Sequence, residues 1–598
     1  MATPKVDVLT YHYDTASSGV NSNELVLNPA NVNVASFGKL YTTPVDGAVY
    51  TEPLICTDVM ITAGVNTNAG APGLHDVVFV ATEHDSLYAI DAASGGVLWK
   101  RTFLDTTNPG GNVNNTLNAT EIVPVAAYDV DSATISPEIG ITGTPVIDKG
   151  SDLLYVVPKT KEIIGGFTHF VQRLHAINIA DGTDAANPFL IGNTTSCSTR
   201  NFLSSCCLWW CNPFGKETNN TQIYVYGSGD GSILDPAGTG KHIVQFNALR
   251  QNQRCAISLI SHDVTNVNVY VQWASHGDNG PYHGWVVVWN VADVKGSAGF
   301  QLTGVLNVSP NNGLAGIWES GGRLVFESDG SAFYFASGNG TGVVPTLDSN
   351  GFPTNANFEN SLVKVVADST TNSLNQNLNG WGLKVVDYFM PYNFVSLDLS
   401  DLDFGAGGPL LLPGSAGNVS HPHLMITGGK EGKIYLIDRD NLGGFDSTND
   451  NVLNAVLNSS GHRTPPVQIG AALSTAAFFN GTIYWVSGQS DRANAYAINS
   501  TKTALIITSQ TAISDFGDFP GSVIVSANGI AAGIVWIMDR RANQIHAYDA
   551  TNLATELWNS GQMSGDNLGS VVKFAVPTVA NGKVYVGTRN SVVVYGLT

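Results

Sequence analysis

Charged residues are scarce in this sequence, 13% of 598, with 28 Lys plus Arg against 48 Asp plus Glu and a formal charge of −20. Phosphate binding needs a concentrated basic face, so the composition argues against nucleic acid and against docking on anionic membranes. Long apolar runs are missing as well. The longest, "GIAAGIVWIM" at 529–538, is too short to span a bilayer. No stretch sustains the i, i+3, i+4, i+7 spacing with charged flanks that an amphipathic helix needs. The opening "MATPKVDVLTYHYD" has no apolar signal core, so a secreted form would be the processed chain.

Cysteine is also rare. The six are Cys56, Cys197, Cys206, Cys207, Cys211 and Cys255, and four of them fall in "CSTRNFLSSCCLWWC", inside an insertion near 192–222. An even number allows three bridges in fifteen pairings, and disulfides are the expected state. A zinc site would want two CxxC pairs or a nearby His, which this segment lacks; free thiols are the other alternative. Sequons stand at Asn114, Asn118, Asn193, Asn219, Asn307, Asn339, Asn418, Asn458, Asn480 and Asn499, permitting N-linked glycans without requiring them. With the cysteines they favour an oxidising compartment, hence secretion.

What is abundant is Gly, at 64 residues, and alternating runs of β-formers such as "KIYLID" (433–438) and "KVYVGT" (583–588). A repeat organises them. "VVFVATEHDSLYAIDAASGGVLW" (77–99) is a strand, a polar turn, a strand ending Ala-Ile-Asp, a Ser-Gly turn and a Trp, and "IVWIMDRRANQIHAYDATNLATELW" (534–558) repeats that grammar. Weaker copies begin at 153, 424 and 482. Units of this kind cannot bury both faces alone, so the expected fold is all-β: one β-propeller of eight four-stranded blades. Blade cores are expected near 47–101, 140–190, 255–305, 315–370, 405–445, 470–510, 520–560 and 573–598, with the N-terminal "VDVLTY" closing the last blade.

The pattern at Ala89, Asp91, Ser94, Gly95 and Trp99 resembles the docking repeat of pyrroloquinoline-quinone dehydrogenases, where the Trp packs between blades. Taken literally, the resemblance implies quinone and calcium, and Cys206-Cys207 would stand where that family places its vicinal pair. The surrounding "CCLWWC" departs from the family's pattern, and no Glu, Asn and Asp ligand set can be assigned. "DVLTYHYD", "FGKLYTTPVDGAVYTEPL", "EIGITGTPVID", "ASHGDNGPYHGWV", "GGKEGKIYLIDRDNLGG" and "KFAVPTVANGKVYVGT" are similar over nearly the whole chain to a group of secreted quinoprotein-like propellers. Within that group the resemblance points to the fungal glycosylated hetero-Diels–Alderases of tropolonic sesquiterpene biosynthesis. It implies a cofactor-free reaction. A hydroxymethyl tropolone loses water to a quinone-methide diene, which adds across a humulene-type alkene.

Such chemistry needs a proton donor for the departing hydroxyl and an apolar mouth that holds two partners face to face. Innermost strands are expected to start near Glu52, Thr142, Arg254, Trp318, Asp403, Thr475, Val523 and Phe574. Pocket candidates are therefore Tyr50, Glu52, Arg254, Trp318, Glu319, Asp403, Phe404 and Lys573. The stretch "SHGDNGPYHGW" adds His276, Asp278, Tyr282 and His283 around a Gly-Pro turn between a second and a third strand, as pocket lining, as a furnished hairpin or, the least favoured alternative, as metal ligands. His283 and Asp278 are the expected proton-transfer residues, with Arg254 and Lys573 on the tropolonate oxygens. Lys430 and Glu431 read as a solvent-facing turn, and Asp401 with Asp403 as a loop whose paired carboxylates offer an alternative cation site. The remaining alternatives are a quinone- and calcium-dependent alcohol dehydrogenase and a non-catalytic carbohydrate- or protein-binding propeller.

Overall fold

The alternating runs form strands, since β-branched side chains fit a pleated surface buried on alternate residues. The computed structural model describes residues 4–195, 217–466 and 469–598. Its strands make antiparallel meanders in chain order. The first is Leu54–Ile61, Gly73–Thr82, Ser86–Asp91 and Val97–Thr102. The last is Thr578–Ala580, Lys583–Gly587 and Ser591–Leu597, completed by Phe37–Pro44. Many of those between fall on the segments expected as blade cores, but Glu121–Ala126, the three-stranded sheet Tyr224–Tyr226, Ile233–Leu234, His242–Gln245, and the pair Val456–Leu457, Arg463–Thr464 lie outside all of them, and two further departures stand out. Strand Gly380–Met390 lies beyond the 315–370 segment, and the sheet Leu410–Leu411, Leu424–Gly428, Ile434–Asp438 has three strands. First strands of neighbouring meanders pack side by side, and hydrophobic clusters such as Leu54, Phe79, Trp99, Ile147 and Ile177 fill the space between sheets. This is a β-propeller.

The repeat grammar has a mechanical basis. Asp91 Oδ1 accepts the N–H groups of Ala93 and Ser94 and the Ser94 hydroxyl, and Gly95 takes φ +76°, which closes the turn. That turn delivers Trp99, fully buried opposite Ala89, to the next meander, where its indole N–H donates to Ile179 O at 2.9 Å. Trp558 packs edge-on against Phe37 and Tyr595. Both Trp residues are inter-sheet packing, as expected.

Ring closure falls on a different segment from the one expected. Phe37–Pro44, not "VDVLTY", pairs antiparallel with Ser591–Leu597. Residues 8–20 instead cross the first strands of successive meanders. Val8 exchanges backbone hydrogen bonds with Ile55, and Leu9 O accepts from Ile147. Thr15, Ala16, Ser18 and Gly19 carbonyls then accept from Phe326, Leu411, Phe478 and Val525. The physical reason is that every innermost strand has an unpaired edge at the centre of the ring, and this segment satisfies those donors in turn.

Cys56 and Cys255 are buried free thiols, so three bridges do not form. Cys197, Cys206, Cys207 and Cys211 lie outside the described residues. Sequon residues Asn114, Asn193, Asn307 and Asn339 are buried, while Asn118 and Asn480 are exposed. Among the described residues no helix is long and apolar enough to cross a membrane.

Candidate active site at the axial mouth

Turns that precede first strands, and turns between second and third strands, gather on one face. Arg254 and Phe574, from widely separated meanders, stack there at 5.1 Å, so they stand at the centre of the ring. The Tyr50 ring lies 5.9 Å from the same guanidinium, and Arg254 Nη2 donates to Ser320 O at 3.0 Å. Phe574 meets Phe519 edge-on at 5.5 Å, and Phe519 carries Lys573 at 4.3 Å and Arg540 at 5.7 Å. None of these three cations has a carboxylate partner among the described residues. Burial lowers the proton affinity of Arg254 and of Lys573, the latter helped by Arg540. Each gains by meeting an anion.

The opposite wall is acidic and more fully bonded. Trp318, half-buried, donates its indole N–H to Ser275 O at 3.3 Å and meets Tyr282 edge-on at 6.0 Å. Its ring lies against Gly316 and Gly338, where an added Cβ would come within 2.7 and 2.6 Å of it. The Tyr282 hydroxyl donates to Asp278 Oδ1 at 2.7 Å, and crowding by protein and by Asp403 holds the Asp278 carboxyl above the usual carboxylate range. Asp403 accepts Asn339 N–H at 2.7 Å and pairs with Lys430 at 2.6 Å.

Tyr50, Arg254, Trp318 and Lys573 thus meet the mouth, and Asp278 and Asp403 stand on its rim. The other expected residues do not present free groups there. Glu52 is buried under the mouth, accepting His12 N–H at 2.8 Å and the Thr578 hydroxyl at 3.3 Å, and burial pushes its carboxyl up to about 8. Glu319 is fully buried, holding Ala336 N–H at 2.8 Å. Phe404 is core, packed on Phe389 and Tyr435. His276 faces inward, with Nε2 2.8 Å from the buried Lys159 ammonium. His283 is buried, its Nδ1 3.1 Å from Ser309 O and its Nε2 2.9 Å from Asp230 O. Burial lowers the proton affinity of this imidazole, so one ring N–H donates to one of the two carbonyls, and neither nitrogen is presented to the mouth as a free group, which leaves the proton-transfer role expected of His283 without support in this geometry.

The "GGKEGK" turn also differs from its solvent-facing reading. Lys430 reaches inward to Asp401 and Asp403, and Glu431 accepts the Tyr435 hydroxyl. Residues missed by the sequence reading are Phe519, Arg540 and Glu83. Aligning the repeats would have found two of them, because Glu83 in "TEHDS" and Arg540 in "MDRRA" occupy the same turn of their respective copies.

A calcium-bound quinone does not fit this donor set. The carboxylates of Asp401 and Asp403 already share the Lys430 ammonium at 2.9 and 2.6 Å, and the other Asp403 oxygen is taken by Asn339. Among the described residues no three His, Cys, Asp or Glu side chains converge as a metal site. Two clefts of about 490 and 620 Å³ lie elsewhere, beside Gln544 and beside Tyr226. The first is lined without a titratable side chain, and the second carries Tyr226, Lys241 and His242.

Residues 51–184 match the family model described as outer membrane protein assembly factor BamB, the PQQ-type repeat. No curated protein matches the chain. Among solved structures, quinohemoprotein alcohol dehydrogenase from Comamonas testosteroni is similar at TM-score 0.54 and 11% identity, over 99% of this chain and 80% of that one. BamB from Moraxella catarrhalis is similar at TM-score 0.38 and 8% identity, over 94% and 97% of the two chains. The fold is that of quinoprotein-type propellers built from PQQ-like repeats.

Proposed function

We propose that the axial mouth binds a planar anionic tropolone and a humulene-type alkene and joins them by hetero-Diels–Alder cycloaddition, without a cofactor. The observation that carries this reading is the cluster of Arg254, Arg540 and Lys573 on aromatic faces, lacking carboxylate partners among the described residues, in a chain of net charge −20. Such a surface suits a flat ring whose oxygens carry negative charge. Arg254 and Lys573 take the tropolonate oxygens, while Tyr50, Trp318 and Phe574 hold the ring and the alkene in register. Face-to-face alignment of two apolar reactants supplies on the order of 7–11 kcal/mol toward a cycloaddition barrier. The resemblance noted above supports secretion and N-linked glycans on exposed sequons.

The test is direct. Purified chain is mixed with a hydroxymethyl tropolone and a humulene-type alkene, and products are followed by chromatography and mass spectrometry. Faster, stereoselective adduct formation that survives EDTA supports the reading. Dye-linked alcohol oxidation appearing only on addition of quinone and calcium would replace it with the dehydrogenase. Tropolone binding without turnover would leave a binding propeller.

A further inference from the structure

One carboxyl group beside the mouth is left half unused. Glu83 sits in the turn between the second and third strands of the first meander and is 1% exposed. Its Oε2 accepts Gly140 N–H at 2.9 Å and the Thr142 hydroxyl at 3.1 Å, while Oε1 is buried with no hydrogen-bond partner among the described residues. Two donors on one oxygen and none on the other leave the second oxygen free to take up or release a proton. Burial pushes this carboxyl up to about 7, against the pull of Gly140, Thr142 and Arg254 and with a push from Glu138. Tyr50 and Arg254 of the mouth, and the buried Asp85 and Lys159, lie within electrostatic reach of it.

We propose that Glu83 is the proton-transfer group of the mouth, acting on the hydroxyl that leaves an anionic ring held by Arg254. The assignment rests on the reading of the mouth given above. In the step, the Glu83 proton passes to the departing hydroxyl, the C–O bond breaks with its electron pair on oxygen, and water leaves. The negative charge of the tropolonate collapses into the ring to give the neutral diene. Glu83, now a carboxylate, recovers its proton from the next neutral substrate or from solvent.

The experiment titrates the full chain calorimetrically with tropolone at pH 7, in buffers of differing ionisation enthalpy. An anion bound beside Glu83 raises its proton affinity, so the wild type takes up a proton on binding. Glu83→Gln keeps an acceptor for Gly140 and Thr142, and it should bind tropolone within about threefold of wild type while losing that uptake. With both substrates, the variant should form diene about 10²-fold more slowly or worse, and the rate should lose its decline above pH about 7. Uptake equal in wild type and variant, or absent from the wild type between pH 6 and pH 8.5, overturns the proposal; the wild-type measurement decides alone where the variant does not fold. Glu83-dependent uptake without any adduct supports Glu83 as the mouth's proton-transfer group and overturns cycloaddition as the reaction.

Discussion

The guanidinium of Arg254 stacks on the ring of Phe574 at 5.1 Å, although the two residues belong to meanders on different sides of the ring. Charge-assisted hydrogen bonds contribute about 1.5–3 kcal/mol each. Arg254→Ala should therefore weaken tropolone binding by about 10- to 100-fold, with Arg254→Lys intermediate. Calorimetry on folded variants measures it, and unchanged affinity would move the site away from this mouth.

Acidity should stabilise the protein. Burial raises the Glu52 carboxyl to about 8, and it raises Glu83 and Asp398 to about 7. In the unfolded chain these groups ionise near pH 4, so their contribution is complete below that pH and is lost as pH rises through 7–8. The melting temperature should be a few degrees lower at pH 9 than at pH 6. Glu52→Gln should flatten that slope, and a slope of opposite sign would refute the assignment.

His283→Ala separates bracing from acid catalysis. Losing the buried ring removes its one N–H donor to the Ser309 or Asp230 carbonyl, at a cost of about 1–3 kcal/mol. Thermal unfolding should register the loss. The pH–rate profile of any adduct formation should keep its wild-type shape; a vanished limb would restore His283 as the acid.

Cys56 and Cys255 should resist alkylation in the native protein and react once it is denatured without reductant. Cys255 Sγ donates to Ile317 O at 3.0 Å and to Trp318 O at 3.2 Å. Cys255→Ala should consequently lower stability by about 1 kcal/mol and reduce cycloadduct selectivity by loosening the Trp318 segment. Peptide mapping after thiol labelling reads the first outcome, and a labelled native Cys255 contradicts it.

Glycan mapping of secreted material should find Asn118 or Asn480 occupied and Asn114, Asn193, Asn307 and Asn339 bare. Asn114 and Asn193 are buried, and Asn114 Nδ2, the atom a glycan would take, donates to Thr102 O at 3.2 Å. A glycan on Asn307, which is fully buried, would contradict the fold itself.

Much of the fold was legible because its signals are local. Two-residue alternation, the Asp91-Ser94-Gly95 turn and the Trp99 anchor each act within a few residues, and together they determined an all-β chain of docked repeats. The mouth was legible in part, since Arg254, Trp318 and Lys573 precede first strands and the repeat places them on one face. Which polar groups remain free there was decided only by tertiary contacts. His283 turns to the carbonyls of Ser309 and Asp230, Lys430 fills the space between Asp401 and Asp403, and the Glu83 carboxyl leaves Oε1 bare. The path of residues 8–20 belongs to the same class: as a β-former run, "VDVLTY" suits an outer strand as well as an inner one. Only the unpaired edges at the centre of the ring, formed by strands hundreds of residues apart, select its place.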